Sequence, residues 1–164
     1  MGIFASQTVS DPIPVPFDPP HTVTVRKLTA RECDAAAEAH RDGIASGSAR
    51  AWPATFRRML EKGANDPDVL KAIADPLTGY DRFALVRSGL TAWTYPQSIT
   101  PVPAKAEVKA KGNVPGSPAV PASDAIEDLD DEAVDFIATE VLRLTKPHLF
   151  HATAEDAEVA QKND

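Results

Sequence analysis

The stretch HTVTVRKLTARE, residues 21–32, contains the start of a strand and the start of a helix. Val23 and Val25 alternate with threonine and arginine side chains. Such alternation of apolar and polar residues is typical of a strand that buries one face. We therefore predict a short β-strand over residues 22–28.

A helix is predicted immediately after this strand. Thr29 and Glu32 have the spacing of a capping box, in which each side chain accepts a hydrogen bond from the other residue's backbone N–H. The helix should begin near Ala30 and continue through an alanine-rich stretch to about Ile44.

The predicted strand needs a partner, because an isolated strand leaves its backbone donors and acceptors unpaired. Residues 3–9, IFASQTV, form the other plausible strand in the chain. Pairing with residues 3–9 and pairing with another protein chain would both provide partners for these backbone donors and acceptors. For the second alternative, Val23, Val25 and Arg26 are the candidate contact residues.

Helical patterns account for most of the remaining chain. Four further helices are predicted: one after Pro53, a short one from residue 65 or 66, one from Thr78 to about Thr94, and one from Asp130 to Thr145. The last two should pack together through apolar side chains three or four residues apart. The expected members of this core are Phe83, Leu90, Trp93, Phe136, Ile137 and Val141.

These patterns predict a mainly α fold, namely a small helical domain with a short N-terminal β-strand or hairpin and an extended Pro-rich arm and linker. Prolines cluster near the N-terminus and again after Tyr95, where few large apolar residues are present to offset the entropy of ordering. The predicted segments are an extended Pro-rich arm (1–21), a strand plus helical domain (22–95), a Pro/Ala/Lys-rich linker (96–122), a C-terminal helix packed on the domain (123–150) and a mobile acidic tail (151–164).

The charge of the chain is divided between its two halves. Residues 26–95 carry 11 Lys/Arg and 9 Asp/Glu, whereas residues 123–164 carry 3 and 12. A net charge of −7 argues against nucleic-acid binding, which needs a basic surface.

Acidic residues crowd the start of the last predicted helix, where the helix dipole favours negative charge. They are also candidate contacts for a basic partner: Asp128, Asp130, Asp131 and Glu132. Trp93 is either part of the apolar core or an exposed anchor for that partner.

No residue pattern points to catalysis, a cofactor or a metal. The single cysteine, Cys33, cannot form an internal disulfide, and His148 and His151 have no further ligands at useful spacing. Phosphate-binding, dinucleotide-binding and nucleophile-elbow motifs are missing. No apolar run approaches the roughly 20 residues of a membrane-spanning helix. These observations favour a non-catalytic protein that acts by binding other proteins.

Three stretches together resemble a known class of proteins: VTVRKLTARE at 23–32, DPLTGYDRFALVRSGLTAWTYP at 75–96 and AIEDLDDEAVDFIATEVLRLTKP at 125–147. The chain resembles small tail-morphogenesis proteins of long-tailed bacteriophages, particularly the tail assembly chaperone type. The resemblance spans about residues 22–148, and the insertion at 96–122 departs from a compact version.

The resemblance implies a protein without cofactor that binds the tape measure protein or tail tube subunits, or copies of itself, in the host cell cytoplasm during assembly. One alternative is a structural subunit retained in the tail of the virion. Another is a regulatory protein directed at the host.

Overall fold

The computed structural model describes residues 8–48 and 75–150. Its elements are, in chain order, β1 (Ile13–Pro14), β2 (Thr22–Val25), α1 (Ala30–Ala45), a 3₁₀ turn (Pro76–Gly79), α2 (Arg82–Gly89), β3 (Leu90–Trp93) and α3 (Asp131–Thr145). The predicted helices after Pro53 and residue 65, most of the predicted strand 3–9 and the predicted tail 151–164 lie outside the described residues.

The prediction of a mainly α fold is wrong. The described residues combine helices with a three-stranded antiparallel sheet in the order β1-β2-β3. Val23 in the central strand pairs with Ile13 of β1 on one side and with Trp93 of β3 on the other. The fold is therefore mixed α/β, with helices packed on a small sheet.

The error arises between Gly89 and Thr94, where the sequence pattern favours a continuous helix. The helix instead ends at Gly89, and the next four residues form β3. Tertiary pairing overrides local periodicity here, since β3 supplies the backbone partners that β2 needs.

A β-bulge explains why this strand has the spacing of a helix. Val25 pairs with Leu90 and Thr24 pairs with Ala92, so Thr91 is the extra residue on β3. The bulge shifts the alternation by one and brings Leu90 and Trp93, three residues apart, to the same face of the sheet. A spacing of three is also the helical signal, and the sequence alone does not separate the two.

The expected pairing with residues 3–9 is seen, within the described residues, only at its Val9 end, and β2 itself pairs with β1 and β3. Beyond β1 and β3, Val9 forms an antiparallel bridge with Arg26. The amide of Ser10 donates to the carbonyl of Val25 at 2.7 Å. Both edges of β2 are thus used inside the chain, and no edge of this strand is left for another protein.

The predicted start of α1 is confirmed by its cap. The Thr29 hydroxyl accepts from the Glu32 amide at 3.3 Å, and the Glu32 carboxylate accepts from the Thr29 amide at 2.8 Å. Arg26 adds an ion pair at 2.6 Å to the same carboxylate. Its hydrogen bond is the main cause that lowers the pKa of Glu32 to about 2. The cap therefore ties the end of the sheet to the first turn of α1.

The core lies where α3 crosses α2 and the sheet. α3 buries one apolar stripe, made of Val134, Ile137, Ala138, Val141 and Leu142. Two further contacts join it to α2. The fully buried Arg82 forms ion pairs with Asp135 and, at 3.4 Å, with Asp131.

The second contact is a close approach at Gly89. A Cβ atom built on Gly89 would lie 2.5 Å from Cγ2 of Val141, closer than real Cβ atoms pack, and at a tight 3.1 Å from its Cβ. The carbonyl of Gly89 accepts from the Arg26 amide at 2.8 Å, which fixes its backbone against the sheet. Glycine is therefore required here by space.

None of the helices in residues 8–48 and 75–150 combines the length and apolar character that crossing a lipid bilayer demands.

We predict that Gly89→Ala lowers the free energy of unfolding by about 1–3 kcal/mol, because the added methyl group overpacks the contact with α3. Rotating Val141 would move its methyl groups but leave its Cβ at 3.1 Å, which is still a tight contact. Urea unfolding followed by circular dichroism measures the change.

The matched control is Gly79→Ala, where a Cβ atom meets nothing within 4 Å. Adding Val141→Ala to Gly89→Ala should make the double variant more stable than the sum of the single effects predicts. Equal stability of the Gly89 and Gly79 variants would contradict the packing argument.

Candidate protein-binding surface

Residues 102–123 form a hairpin that projects from the domain. Four residue pairs each exchange two backbone hydrogen bonds: Val102 with Ser123, Lys105 with Val120, Val108 with Ser117 and Lys111 with Val114. Residues 103–123 are all exposed. We call residues 102–123 the proline hairpin. The linker interpretation of 96–122 misses this pairing, although the segment buries no core of its own.

The pairs recur every third residue on both strands, whereas an ordinary antiparallel ladder repeats every second residue. Three residues per turn is the repeat of polyproline II. The returning strand has proline at every third position: Pro115, Pro118 and Pro121. Each follows a paired residue, so no paired position lacks an N–H. This triplet spacing was the available sequence signal for the hairpin.

Two glycines shape the tip of the hairpin. Gly112 opens the two-residue turn with φ of +62°, a conformation that favours glycine and is typical of a type II′ turn. At Gly116, an added Cβ would lie 2.7 Å from the carbonyl oxygen of Val108 and 2.8 Å from the Ala110 nitrogen. The two strands therefore approach closely only because residue 116 has no side chain.

A groove opens at the foot of the hairpin. It encloses about 250 Å³ and is lined by Trp93, Tyr95, Gln97, Ala125, Asp128 and Leu129. We call it the aromatic groove. Trp93 and Tyr95 form two of its walls, with ring centroids 5.6 Å apart and planes at 80°. The indole N–H of Trp93 donates to the Gln97 carbonyl at 2.7 Å, which holds the ring in place.

Tyr95 is held from the side of the N-terminal arm. Its ring stacks on His21 with centroids 4.1 Å apart. Burial is the main cause that raises the pKa of Tyr95 to about 12, and a hydrogen bond to Asp18 adds to it. Tyr95 is not among the predicted site residues, because nothing local in the sequence marks it. Its role depends on residues more than 70 positions away.

Two of the four acidic side chains at the start of α3 have partners within the described part of the chain, and two do not. Asp130 caps the helix by accepting from the Ala133 amide at 2.7 Å, and Asp131 pairs with Arg82. Asp128 and Glu132 are exposed, and residues 8–48 and 75–150 provide neither with a side-chain partner. Of the four predicted contact residues, these two are available to another molecule.

The other predicted contact residues lie elsewhere. Val23 and Val25 are fully buried in the sheet, so their side chains cannot meet a partner. Arg26 is engaged by Glu32. Trp93 is half-buried, with one side against the core and the other in the groove. The structure thus brings Trp93 and Asp128 together at the groove. Val23 pairs with Trp93 through its backbone, but its side chain is buried in the core.

Two ion pairs hold the segment between the proline hairpin and α3 against α2. Arg87 on α2 donates to Asp124 at 2.7 Å and to Glu127 at 2.5 Å, and these hydrogen bonds raise the pKa of Arg87 and lower that of Asp124. Both carboxylates lie between the hairpin and α3. The network therefore fixes the wall of the groove that carries Asp128.

Within the described ranges, no group of three or more histidine, cysteine or acidic side chains is arranged to hold a metal ion. Comparison of the chain with protein-family models, curated proteins and solved structures finds no match.

We predict that Gly116→Ala opens the proline hairpin, because the new methyl group collides with the backbone of the opposite strand. Cross-strand nuclear Overhauser contacts between Val108 and Ser117 should disappear, while those within α3 persist. Gly79→Ala serves as the control, and cross-strand contacts that survive in the Gly116 variant would contradict the close approach.

We also predict that Tyr95 titrates with a midpoint near pH 12. The chain has two tyrosines, so in Tyr80→Phe only Tyr95 contributes phenolate absorbance. Asp18→Asn should lower that midpoint toward 10, since a nearby negative charge disfavours the phenolate. Because the pKa of Tyr95 is raised in the folded protein, its contribution to the free energy of unfolding is complete below pH 10. That contribution is lost as pH rises toward 12. A midpoint near 10 in Tyr80→Phe would rule out the buried contact.

Proposed function

We propose that this chain is a non-catalytic protein-binding factor of phage tail assembly, of the tail assembly chaperone type. Its partner in this proposal is the tape measure protein or the tail tube protein. It acts in the host cell cytoplasm while the tail is being built.

One observation carries the protein-binding part of the proposal. Asp128 lines the aromatic groove, and Glu132 follows four residues later; both present exposed carboxylates without a side-chain partner in the described structure. Aromatic side chains bordered by charge are typical of the centre and rim of protein interfaces. Clustered negative charge also speeds association with a basic partner.

The assignment to tail assembly rests on the resemblance of residues 23–32, 75–96 and 125–147 to tail-morphogenesis proteins. The geometry is compatible with such a role. A domain braced by the ion pairs of Arg82 and Arg87 carries an exposed hairpin that presents valine side chains to solvent. Val108 and Val114 are 53% and 64% exposed.

We predict that the chain, used as bait in a lysate of infected cells, recovers the tape measure or tail tube protein. Glu132→Lys should slow association and flatten its salt dependence, because it reverses a charge that steers the partner. Biosensor kinetics with the recovered tail protein measure both effects. Glu38→Lys, the same charge change on an exposed position of α1, is the matched control.

Circular dichroism should show only a modest loss of helix in Glu132→Lys, from weaker dipole complementarity. Recovery of no tail protein would overturn the proposal. Mass spectrometry of purified particles tests the structural alternative, since a subunit of the virion is retained at fixed stoichiometry and an assembly factor is absent.

A further inference from the structure

We propose that the aromatic groove of one copy binds the tip of the proline hairpin of a second copy, in a reciprocal dimer. Each copy would contribute one groove and one hairpin. This inference does not rest on the role in tail assembly.

The groove has the chemistry that receives proline-rich segments. Its walls are Trp93 and Tyr95, its base includes Leu129, and its rim carries the exposed carboxylate of Asp128. Polyproline II ligands dock on aromatic-lined grooves, and they lose little entropy because they are already extended. An acidic rim selects ligands that also carry a basic side chain.

The hairpin has the matching chemistry. Its tip places Val108, Val114 and Pro115 beside Lys109 and Lys111, and all five are exposed. The hairpin as a whole carries three lysines and one glutamate, so its charge is +2 in a chain of −7. The basic tip of one copy therefore complements the acidic groove of another.

The length of the hairpin decides between binding its own groove and binding a neighbour's. The paired strands start at residue 102, five positions after Gln97, which lines the groove. The turn at Gly112 lies ten residues further, about 30 Å away at the polyproline II rise of 3.1 Å per residue. The paired tip therefore lies far from its own groove.

In a dimer with a two-fold axis, the tip of each hairpin can reach the groove of the other copy. When two hairpins lie side by side in opposite directions, the tip of each lies at the foot of the other, where the groove opens. Such a contact is isologous and closes at two copies. The hairpin (102–123) and the six residues that line the groove offer enough residues to supply the roughly 20–30 per side of a stable interface.

Sedimentation equilibrium on the pure full-length chain tests the proposal. The wild type should be a dimer that dissociates as salt is added. Asp128→Lys should raise the dimer dissociation constant about tenfold or more, and Lys109→Glu/Lys111→Glu should do the same, because each places like charges opposite one another. Glu38→Lys reverses an exposed charge on α1 that does not line the groove and should leave the dimer intact.

Mixing the two charge variants gives the sharper result. The lysine in the groove of one variant meets the acidic tip of the other, and the unchanged Asp128 meets an unchanged basic tip. Both contacts of the reciprocal pair are then favourable, and a heterodimer should form from two monomeric variants.

A wild type that stays monomeric, charge variants that dimerise like the wild type, or a mixture that stays monomeric would each overturn the proposal. Growth into open chains rather than dimers would overturn the reciprocal arrangement. Because no tail protein is present, these outcomes are independent of the proposed function.

Discussion

The contact between α2 and α3 is the constraint on which the rest of the structure depends. Gly89 allows Val141 to approach its backbone, and the buried Arg82 pairs with Asp135 on the same two helices. A buried arginine is tolerated only where its charge is matched, and removing one partner of such a pair commonly costs about 3–5 kcal/mol. Apolar contact and paired charge together fix how α3 lies on α2.

The sheet and the groove follow from this contact. Because α2 ends at Gly89 against α3, the next residue starts β3, and β3 completes the sheet beside β2. The same return positions Trp93 and Tyr95 next to Leu129, which precedes α3. The chain between them, 102–123, leaves the domain and returns as the proline hairpin. The site is thus a consequence of how two helices and one strand meet.

How much of this was predictable depends on whether the signal is local. The capping box at Thr29 and Glu32 was predicted because a cap needs only residues three apart. β3 was mistaken for helix because its bulge gives Leu90 and Trp93 a helical spacing. The acidic residues at the start of α3 were found, but the sequence does not reveal that Asp130 and Asp131 are already engaged. Tyr95 and the groove depend on pairing between distant segments, which no local pattern encodes.

The three-residue repeat of the hairpin has a consequence for how its sequence can change over generations. Adding one triplet to each strand would lengthen the reach by about 9 Å and keep every side chain on the same face. Inserting a single residue would instead rotate everything beyond it by about a third of a turn and break the register of the remaining pairs. We therefore expect the length of this segment to vary in steps of three residues. The hairpin would then act as a spacer whose reach changes in discrete steps while its side chains keep their directions.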